Sequence, residues 1–133
     1  MLHRRGFTLL ELSVAMIILA ALMSLSLKWV AATGGQRREA RWRQAALGEA
    51  ANVMERLAGQ SWEELTAQQA AKVTLSDEAR QALPDGTVAA QVAQPAGDPE
   101  AKEIAVTVRW RPRAGTPETQ VRLVAWKFRK SRY

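Results

Sequence analysis

The chain has 133 residues and a formal charge of +6, from 19 Lys and Arg against 13 Asp and Glu, with one His and no Cys. The lack of Cys excludes disulfide scaffolds and Cys-ligated zinc or iron sites. The single imidazole, His3, leaves neither a multi-His metal cage nor a well-placed base for a Ser-His-Asp or Cys-His catalytic set. With 47% apolar and 24% charged residues, the composition predicts a folded chain, and the length predicts one domain.

The N-terminal region contains one long apolar segment, FTLLELSVAMIILAALMSLSL, from Phe7 to Leu27, in which Glu11 is the only charged residue. As a helix that rises about 1.5 Å per residue, it would span roughly 32 Å, which matches a bilayer core of about 30 Å. The remainder of the chain contains no second run of this kind. The sequence therefore predicts one membrane-spanning helix followed by one water-soluble domain.

Two ordinary explanations of this segment are a secretory signal peptide and a plain signal anchor. The signal peptide fits poorly because the segment exceeds the usual h-region of about 7 to 15 residues, and the small residues near Ala31 match a cleavage site only loosely. The anchor explains the length. Neither explains Glu11, because an ionised side chain in a membrane helix costs a few kcal/mol and marks a functional partner by default.

Residues 5–11, RGFTLLE, resemble the processing site of type IV prepilins and type II secretion pseudopilins, the class III signal. The resemblance implies that a membrane prepilin peptidase cleaves between Gly6 and Phe7 and methylates the new N-terminal amine of Phe7. Residues 1–6 are then a leader peptide, and residues 7–32 form the transmembrane and filament-core helix. Glu11 becomes the fifth residue of the mature chain.

These residue types suit the implied roles. Gly6 has no side chain, so an extended backbone can approach the catalytic groups of a protease closely. In a low-dielectric helix bundle, the Glu11 carboxylate can pair with the cationic N-terminal amine of an adjacent subunit, which would set the axial register of a filament. The alternative role for Glu11 is snorkelling to the lipid headgroups, which is compatible with pairing at a later stage.

The resemblance also implies a location and partners. It implies a single-pass inner-membrane protein with a cytoplasmic N-terminus and a periplasmic C-terminal domain, which later enters a filament. Its partners would be the prepilin peptidase, other pilins or pseudopilins and, indirectly, an assembly platform and an ATPase. The count of positive charges conflicts with this orientation, since two Arg residues precede the apolar segment and more basic residues follow it. Those that follow are Lys28, Arg37, Arg38, Arg41 and Arg43.

The soluble region, residues 33–133, is predicted to begin after a bend or break at Thr33, Gly34 and Gly35, because paired glycines weaken helices. A second helix is predicted over residues 36–58, with one apolar stripe and an opposite solvated face. The predicted stripe comprises Ala40, Leu47, Ala50, Ala51, Met54, Leu57 and Ala58. The predicted solvated face comprises Arg38, Arg41, Gln44, Glu49, Asn52 and Glu55.

The rest of the soluble region is predicted to contain short helical turns and strands. Ser61 and Glu64 form a capping-box pattern that predicts a short helix, and another turn is predicted around residues 77–83. Alternating residues predict a three-stranded antiparallel meander over residues 87–128. Together with the long N-terminal helix, this predicts an α+β fold of the type IV pilin kind.

The order of helix and meander is similar to that of I-type minor pseudopilins and V-type minor pilins. Some minor pseudopilins at filament tips lack this Glu, so Glu11 argues against the tip-capping K-type subunit and does not choose among the others. No cluster of Asp and Asn follows Asp98 to form the calcium loop common in major pseudopilins. We therefore expect a minor pseudopilin of a type II secretion system, with a minor pilin for motility, adhesion or DNA uptake as the alternative.

Two basic, aromatic segments could contact nucleic acid or a partner: RWRPR at residues 109–113 and WKFRKSRY at residues 126–133. Their candidate contacts are Arg109, Arg111, Arg113, Lys127, Arg129 and Lys130. The favoured interpretation is structural: the Arg residues form the solvated face of a sheet while the aromatic residues, including Trp110, pack inside. The cluster at residues 37–43 could similarly touch anionic headgroups or simply face solvent.

An enzymatic function is not expected. The carboxylate pairs, such as Glu63 with Glu64 and Asp77 with Glu78, occur where helix N-termini are predicted, and the helix dipole is sufficient to explain them. The sequence contains no Gly-rich phosphate loop and no metal-ligand constellation. We therefore expect no catalytic residue, no metal and no cofactor.

Overall fold

The computed structural model describes residues 8–130, apart from the side chain of Ala32. The chain divides into two compact units, one ending at Arg38 and one beginning at Glu39. The described elements, in chain order, are α1 (Leu9–Ala58), α2 (Ala67–Ala71), α3 (Asp77–Ala82), β1 (Thr87–Ala93), β2 (Ala101–Trp110) and β3 (Thr119–Phe128).

The first unit contains the apolar part of α1. Among the described residues, α1 is the one helix long and apolar enough to span a membrane, and its apolar side chains are exposed. Its few hydroxyl groups are satisfied within the helix: Ser13, Ser24 and Ser26 each donate to the carbonyl four residues earlier, at 2.9 Å. A helix with internally bonded backbone and hydroxyl groups is the form that a bilayer tolerates.

The predicted break at residues 33–35 is wrong, because α1 is helical through Thr33, Gly34 and Gly35. Each glycine costs a helix only about 1 kcal/mol relative to Ala, and long runs of good helix formers flank the pair. The Thr33 hydroxyl also donates to the carbonyls of Trp29 and Val30, at 2.8 and 3.1 Å, and so stays bonded within the helix. The second helix predicted over residues 36–58 is therefore the continuation of α1.

The second unit contains the predicted meander. The strand order is β1-β2-β3, and both pairings are antiparallel. One sheet face is buried against the helical part of the unit, and the alternation predicted for β2 is confirmed: Ile104, Val106, Val108 and Trp110 are at most 1% exposed. The three strands lie between Thr87 and Phe128, the range in which the meander is predicted, so the sequence pattern alone located this sheet.

The face of α1 that enters this core is rotated from the predicted stripe. Ala50, Met54 and Leu57 belong to the core as predicted, but Leu47 is 42% exposed, and Ala40 and Ala58 are exposed as well. The stripe omitted Ala46 and Val53, which are buried, and Trp42, which is partly buried against the core. Both the predicted stripe and the buried stripe contain small residues spaced three and four apart. Spacing alone therefore could not show which of the two stripes packs against the sheet.

Glu49 is the clearest error in the predicted solvated face, because it is buried at 4% exposure. Its carboxylate accepts hydrogen bonds from the Ser76 backbone N–H at 2.8 Å and from the Ser76 hydroxyl at 2.7 Å. The same hydroxyl accepts from the Ala79 N–H at 3.2 Å and N-caps α3. The backbone N–H and the hydroxyl of Ser76, 27 positions along the chain, therefore compensate the cost of burying the Glu49 carboxylate.

The short helices follow their capping signals. The Ser61 and Glu64 capping box forms, with reciprocal bonds of 3.2 and 3.3 Å, but it closes a single turn rather than a longer helix. The next helix, α2, begins later with Thr66 as its N-cap, and the sequence reasoning missed it. Helix α3 confirms the turn predicted around residues 77–83.

Candidate assembly site

Glu11 lies in the first turn of α1, at the third helical position. The helix begins after Thr8, whose side-chain oxygen accepts a hydrogen bond from the Glu11 backbone N–H at 3.3 Å, and whose carbonyl accepts the first helical bond from Leu12 at 3.1 Å. The neighbours Leu10 and Leu12 are 77% and 55% exposed. The carboxylate is therefore presented on an apolar, uncovered surface, and the adjacent helix N-terminus favours its negative charge.

The predicted cleavage and methylation residues, Gly6 and Phe7, lie outside the described residues. The first described helical residue is Leu9, two residues after Phe7. Within residues 8–130, no ion pair involves Glu11. In an apolar environment, such a carboxylate requires a cationic or hydrogen-bonding partner from outside the described chain.

The six candidate contact cations do not form one patch. Arg109, Arg111 and Arg113 lie at the hairpin end of β2 and β3, whereas Lys127, Arg129 and Lys130 lie where β3 ends. Because a strand rises about 3.3 Å per residue and Lys127 is opposite Lys102, even the nearest members of the two groups, Arg109 and Lys127, are about 23 Å apart along the sheet. The structure therefore places the candidate cations in two separate groups, one at each end of the β2–β3 pair.

Three of these cations have local partners. Arg109 Nε donates to Gln120 Oε1 at 3.2 Å, and the Arg111 guanidinium lies 3.7 Å from the Glu118 carboxylate. The Lys127 ammonium donates to the carbonyls of Ala58, at 2.7 Å, and of Gln60. Lys127 thus binds the backbone at the C-terminal end of α1, where a cation is favourable.

The interpretation that the aromatic residues pack inside is correct for Trp110 and wrong for two others. Trp110 is 1% exposed, but Trp126 is 50% and Phe128 is 63% exposed. Along β3, side chains alternate between faces, and both residues share the parity of Arg122 rather than that of the buried Val121. They form an exposed aromatic row on the outer face of the sheet.

Comparison with known families addresses the N-terminal segment. The family model described as "Prokaryotic N-terminal methylation motif" matches residues 1–27. The N-terminus is a prepilin-type signal. No match to the chain is found among curated proteins or among solved structures.

The signal and the fold support the same broad assignment. The methylation motif supports a type IV pilin-like or pseudopilin protein, and the long helix with a three-stranded antiparallel sheet is an α+β arrangement like that of type IV pilins. The prepilin-type signal implies processing by a prepilin peptidase and assembly with other pilins. Together with the single apolar helix, it fits a single-pass membrane protein.

A pair of lysines on the inner sheet face was missed by sequence reasoning. Lys102 and Lys127 are directly opposite each other in the β2–β3 register. The Lys102 ammonium donates to the carbonyls of Trp62 and Leu65, at 2.6 and 2.8 Å, and lies 4.5 Å from the centroid of the Trp62 ring. Strand parity was the available signal, because both lysines share a face with buried residues. The repulsion between the two ammonium groups is offset by the backbone carbonyls that accept their hydrogen bonds.

Proposed function

We propose that the chain is a minor pseudopilin, a structural subunit that is processed by prepilin peptidase and assembled into a type II secretion pseudopilus for protein export. The observation that carries this proposal is the uncovered carboxylate of Glu11, in the first turn of an exposed apolar helix within a methylation motif. A filament provides what this carboxylate lacks, since each neighbouring subunit would bring one cationic N-terminal amine into an apolar bundle.

The first step in this proposal is processing. Cleavage between Gly6 and Phe7 removes the leader, and methylation of the Phe7 amine leaves it able to carry its positive charge. Glu11 then pairs with the amine of an adjacent subunit. Before cleavage, the N-terminal amine belongs to Met1, six residues upstream of the start of the apolar segment.

Mass spectrometry of the chain produced with and without a prepilin peptidase tests this step. We expect the peptidase to yield a chain that begins at N-methyl-Phe7, and Gly6→Ala to leave the full precursor mass. Arg5→Lys is the matched control, since it retains the leader charge and should still be cleaved. Normal cleavage of Gly6→Ala would contradict the proposal.

A second experiment separates processing from assembly. Glu11→Ala should be cleaved normally but recruited poorly into filaments, because the partner for the amine is absent. Glu11→Asp retains the charge on a shorter side chain and should recover part of the recruitment. Wild-type recruitment of Glu11→Ala would refute the pairing role while leaving the processing proposal intact.

In this proposal the chain resides in the inner membrane with a cytoplasmic N-terminus, and its sheet-containing unit is periplasmic before assembly. The assembly platform and ATPase act on it indirectly. The assignment as a minor subunit rests on the sequence, which contains no Asp and Asn cluster after Asp98. A reporter that is active only outside the cytoplasm, fused after residue 130, should be active. We also propose that the chain has no catalytic activity of its own.

The second candidate is a minor type IV pilin of a motility, adhesion or DNA-uptake pilus. The observation that favours it is the exposed pair Trp126 and Phe128 beside Arg129 and Lys130, because aromatic faces and cations together suit single-stranded nucleic acid. Fluorescence anisotropy of labelled DNA with the full chain in detergent, at low and moderate salt, tests it. Under the pseudopilin proposal we expect no binding. Binding at low salt that Trp126→Ala abolishes would favour DNA uptake.

A further inference from the structure

The free edge of β3 is a regular strand edge with no neighbouring strand within residues 8–130. β3 is the last strand in the order β1-β2-β3, so only one of its sides is paired. It remains in register with β2 over ten residue pairs, from Ala101↔Phe128 to Trp110↔Thr119, without a bulge, and it contains no proline. A long, regular edge presents unpaired N–H and C=O groups that can pair with another strand.

β3 contains two charged residues, Arg122, which is exposed, and Lys127. Natural edge strands are commonly shielded by charged side chains, Lys above all. Lys127 does not shield this edge, because its ammonium donates to the carbonyls of Ala58 and Gln60. On the outer face of β3, Val124 and Trp126 are each 50% exposed and Phe128 is 63% exposed. The edge therefore combines free backbone groups with uncovered apolar side chains.

We propose that this edge pairs antiparallel with the same edge of a second copy of the chain, across a two-fold axis at Val124. Two-fold symmetry makes the contact self-complementary and closes the assembly at a dimer. The two sheets become one continuous sheet, and the outer faces of both copies lie on the same side because the axis passes through a residue. A residue that lies a given number of positions before Val124 in one copy then faces the residue the same number of positions after Val124 in the second copy.

Charge complementarity selects this register. With the axis at Val124, Lys130 faces Glu118 of the second copy, whose half-exposed carboxylate also lies 3.7 Å from Arg111 of its own chain. Arg122 faces the ring of Trp126 in the second copy, an arrangement that suits a cation–π contact. Both pairs occur twice by symmetry. Cross-strand pairs of this kind stabilise antiparallel pairing, and like charges opposite each other destabilise it.

Neighbouring registers are less favourable. With the axis at Arg122, the two copies of Arg122 would face each other. With the axis at Trp126, Arg122 would face Lys130. Axes at Leu123 or Ala125 avoid these repulsions but bring no opposite charges together. The axis at Val124 is therefore the register that gains an ion pair and opposes no like charges.

Cross-linking of the full chain in detergent tests the proposal, because the natural sequence contains no Cys. A single Val124→Cys should give a covalent dimer with a short bismaleimide. A single Gln120→Cys should not, since the two copies of residue 120 would be about 26 Å apart. A mixture of Gln120→Cys and Phe128→Cys chains should cross-link to each other. Absence of the Val124→Cys dimer, or equally fast dimerisation of Gln120→Cys alone, would overturn the register.

A charge variant tests the edge independently of cross-linking. Val124→Glu places two carboxylates opposite each other at the axis, so the dimer dissociation constant from sedimentation in detergent should rise by at least about fivefold. Gln91→Glu adds the same charge to the exposed outer face of β1, two strands and about 10 Å from Val124, and should change the constant much less. An equal effect of both variants, or no effect of Val124→Glu, would overturn the proposal. Neither measurement depends on leader cleavage or on Glu11.

Discussion

Glu49 provides the strongest test of how the second unit is held together. It lies on α1, is 4% exposed, and accepts two hydrogen bonds from Ser76, which in turn N-caps α3. Glu49→Ala removes both acceptors and leaves the Ser76 N–H without its partner in a partly buried site. An unsatisfied donor of this kind costs about 1 to 3 kcal/mol, and removal of the buried side chain adds a cavity term.

We therefore expect Glu49→Ala to lower the free energy of unfolding by about 2 to 4 kcal/mol. Glu49→Gln should lower it by only about 1 to 2 kcal/mol, because the amide oxygen can still accept from the Ser76 N–H while the charge-assisted component is lost. Urea unfolding of a fragment that begins at Glu39, followed by the fluorescence of its four tryptophans, of which Trp110 is fully buried, measures both values.

The matched control is Glu55→Ala, which removes an exposed carboxylate from the same helix and should change the unfolding free energy by less than about 0.5 kcal/mol. A double-mutant cycle with Ser76→Ala should give a coupling energy of about 1 to 3 kcal/mol. A loss for Glu49→Ala no larger than that for Glu55→Ala, or a coupling energy near zero, would refute the reasoning.

Three further predictions follow from the described contacts. Hydrogen bonds from the backbone and side chain of Ser61 lower the pKa of the Glu64 carboxyl, so its contribution to stability is present above its unfolded pKa and is lost as the pH falls through the lower folded pKa. The pH profile of unfolding for Glu64→Gln should accordingly differ from wild type at neutral pH and converge with it in acid. Lys127→Met should cost about 1 to 3 kcal/mol in urea unfolding, because two carbonyls lose their donor. Gly34→Ala and Gly35→Ala should each stabilise the helix by about 1 kcal/mol, seen as higher helicity by circular dichroism on heating, since an added Cβ meets nothing within 4 Å.

Each of these predictions has a control or a contradicting outcome. A constant difference between Glu64→Gln and wild type down to strongly acidic pH would exclude linkage through this carboxyl. Lys130→Met, which removes a nearby exposed cation, should be close to neutral, and an equal loss for both lysines would remove the role given to Lys127. A decrease in helicity for either glycine variant would show that α1 requires glycine at that position.

The local patterns in the chain were sufficient for most of the architecture. A long apolar run predicted the apolar part of α1, and strict alternation with turn residues between the runs predicted the meander over residues 87–128. The reciprocal bonds of Ser61 and Glu64 followed from capping chemistry, and the helical turn at residues 77–83 followed from the turn residues after it. These features depend on neighbours a few residues apart, so the sequence contains the relevant information.

The candidate site divides in the same way. Glu11 and the motif around it are contiguous in sequence, so their interpretation needed no tertiary structure. The exposure of Trp126 and Phe128 could not be predicted from the sequence. Alternation placed them on one face, but only the packing of the other face against α1 showed which face is buried and which is free.

The sequence by itself determined the apolar helix, its single carboxylate, the processing motif and the order of helix and strands, because these features arise from contiguous residues. The tertiary structure decided which stripe of α1 enters the core, why Glu49 is buried, and how Lys102 and Lys127 are accommodated on one sheet face. Those outcomes depend on partners 27 to 69 positions away, whose positions follow from the packing of the whole unit.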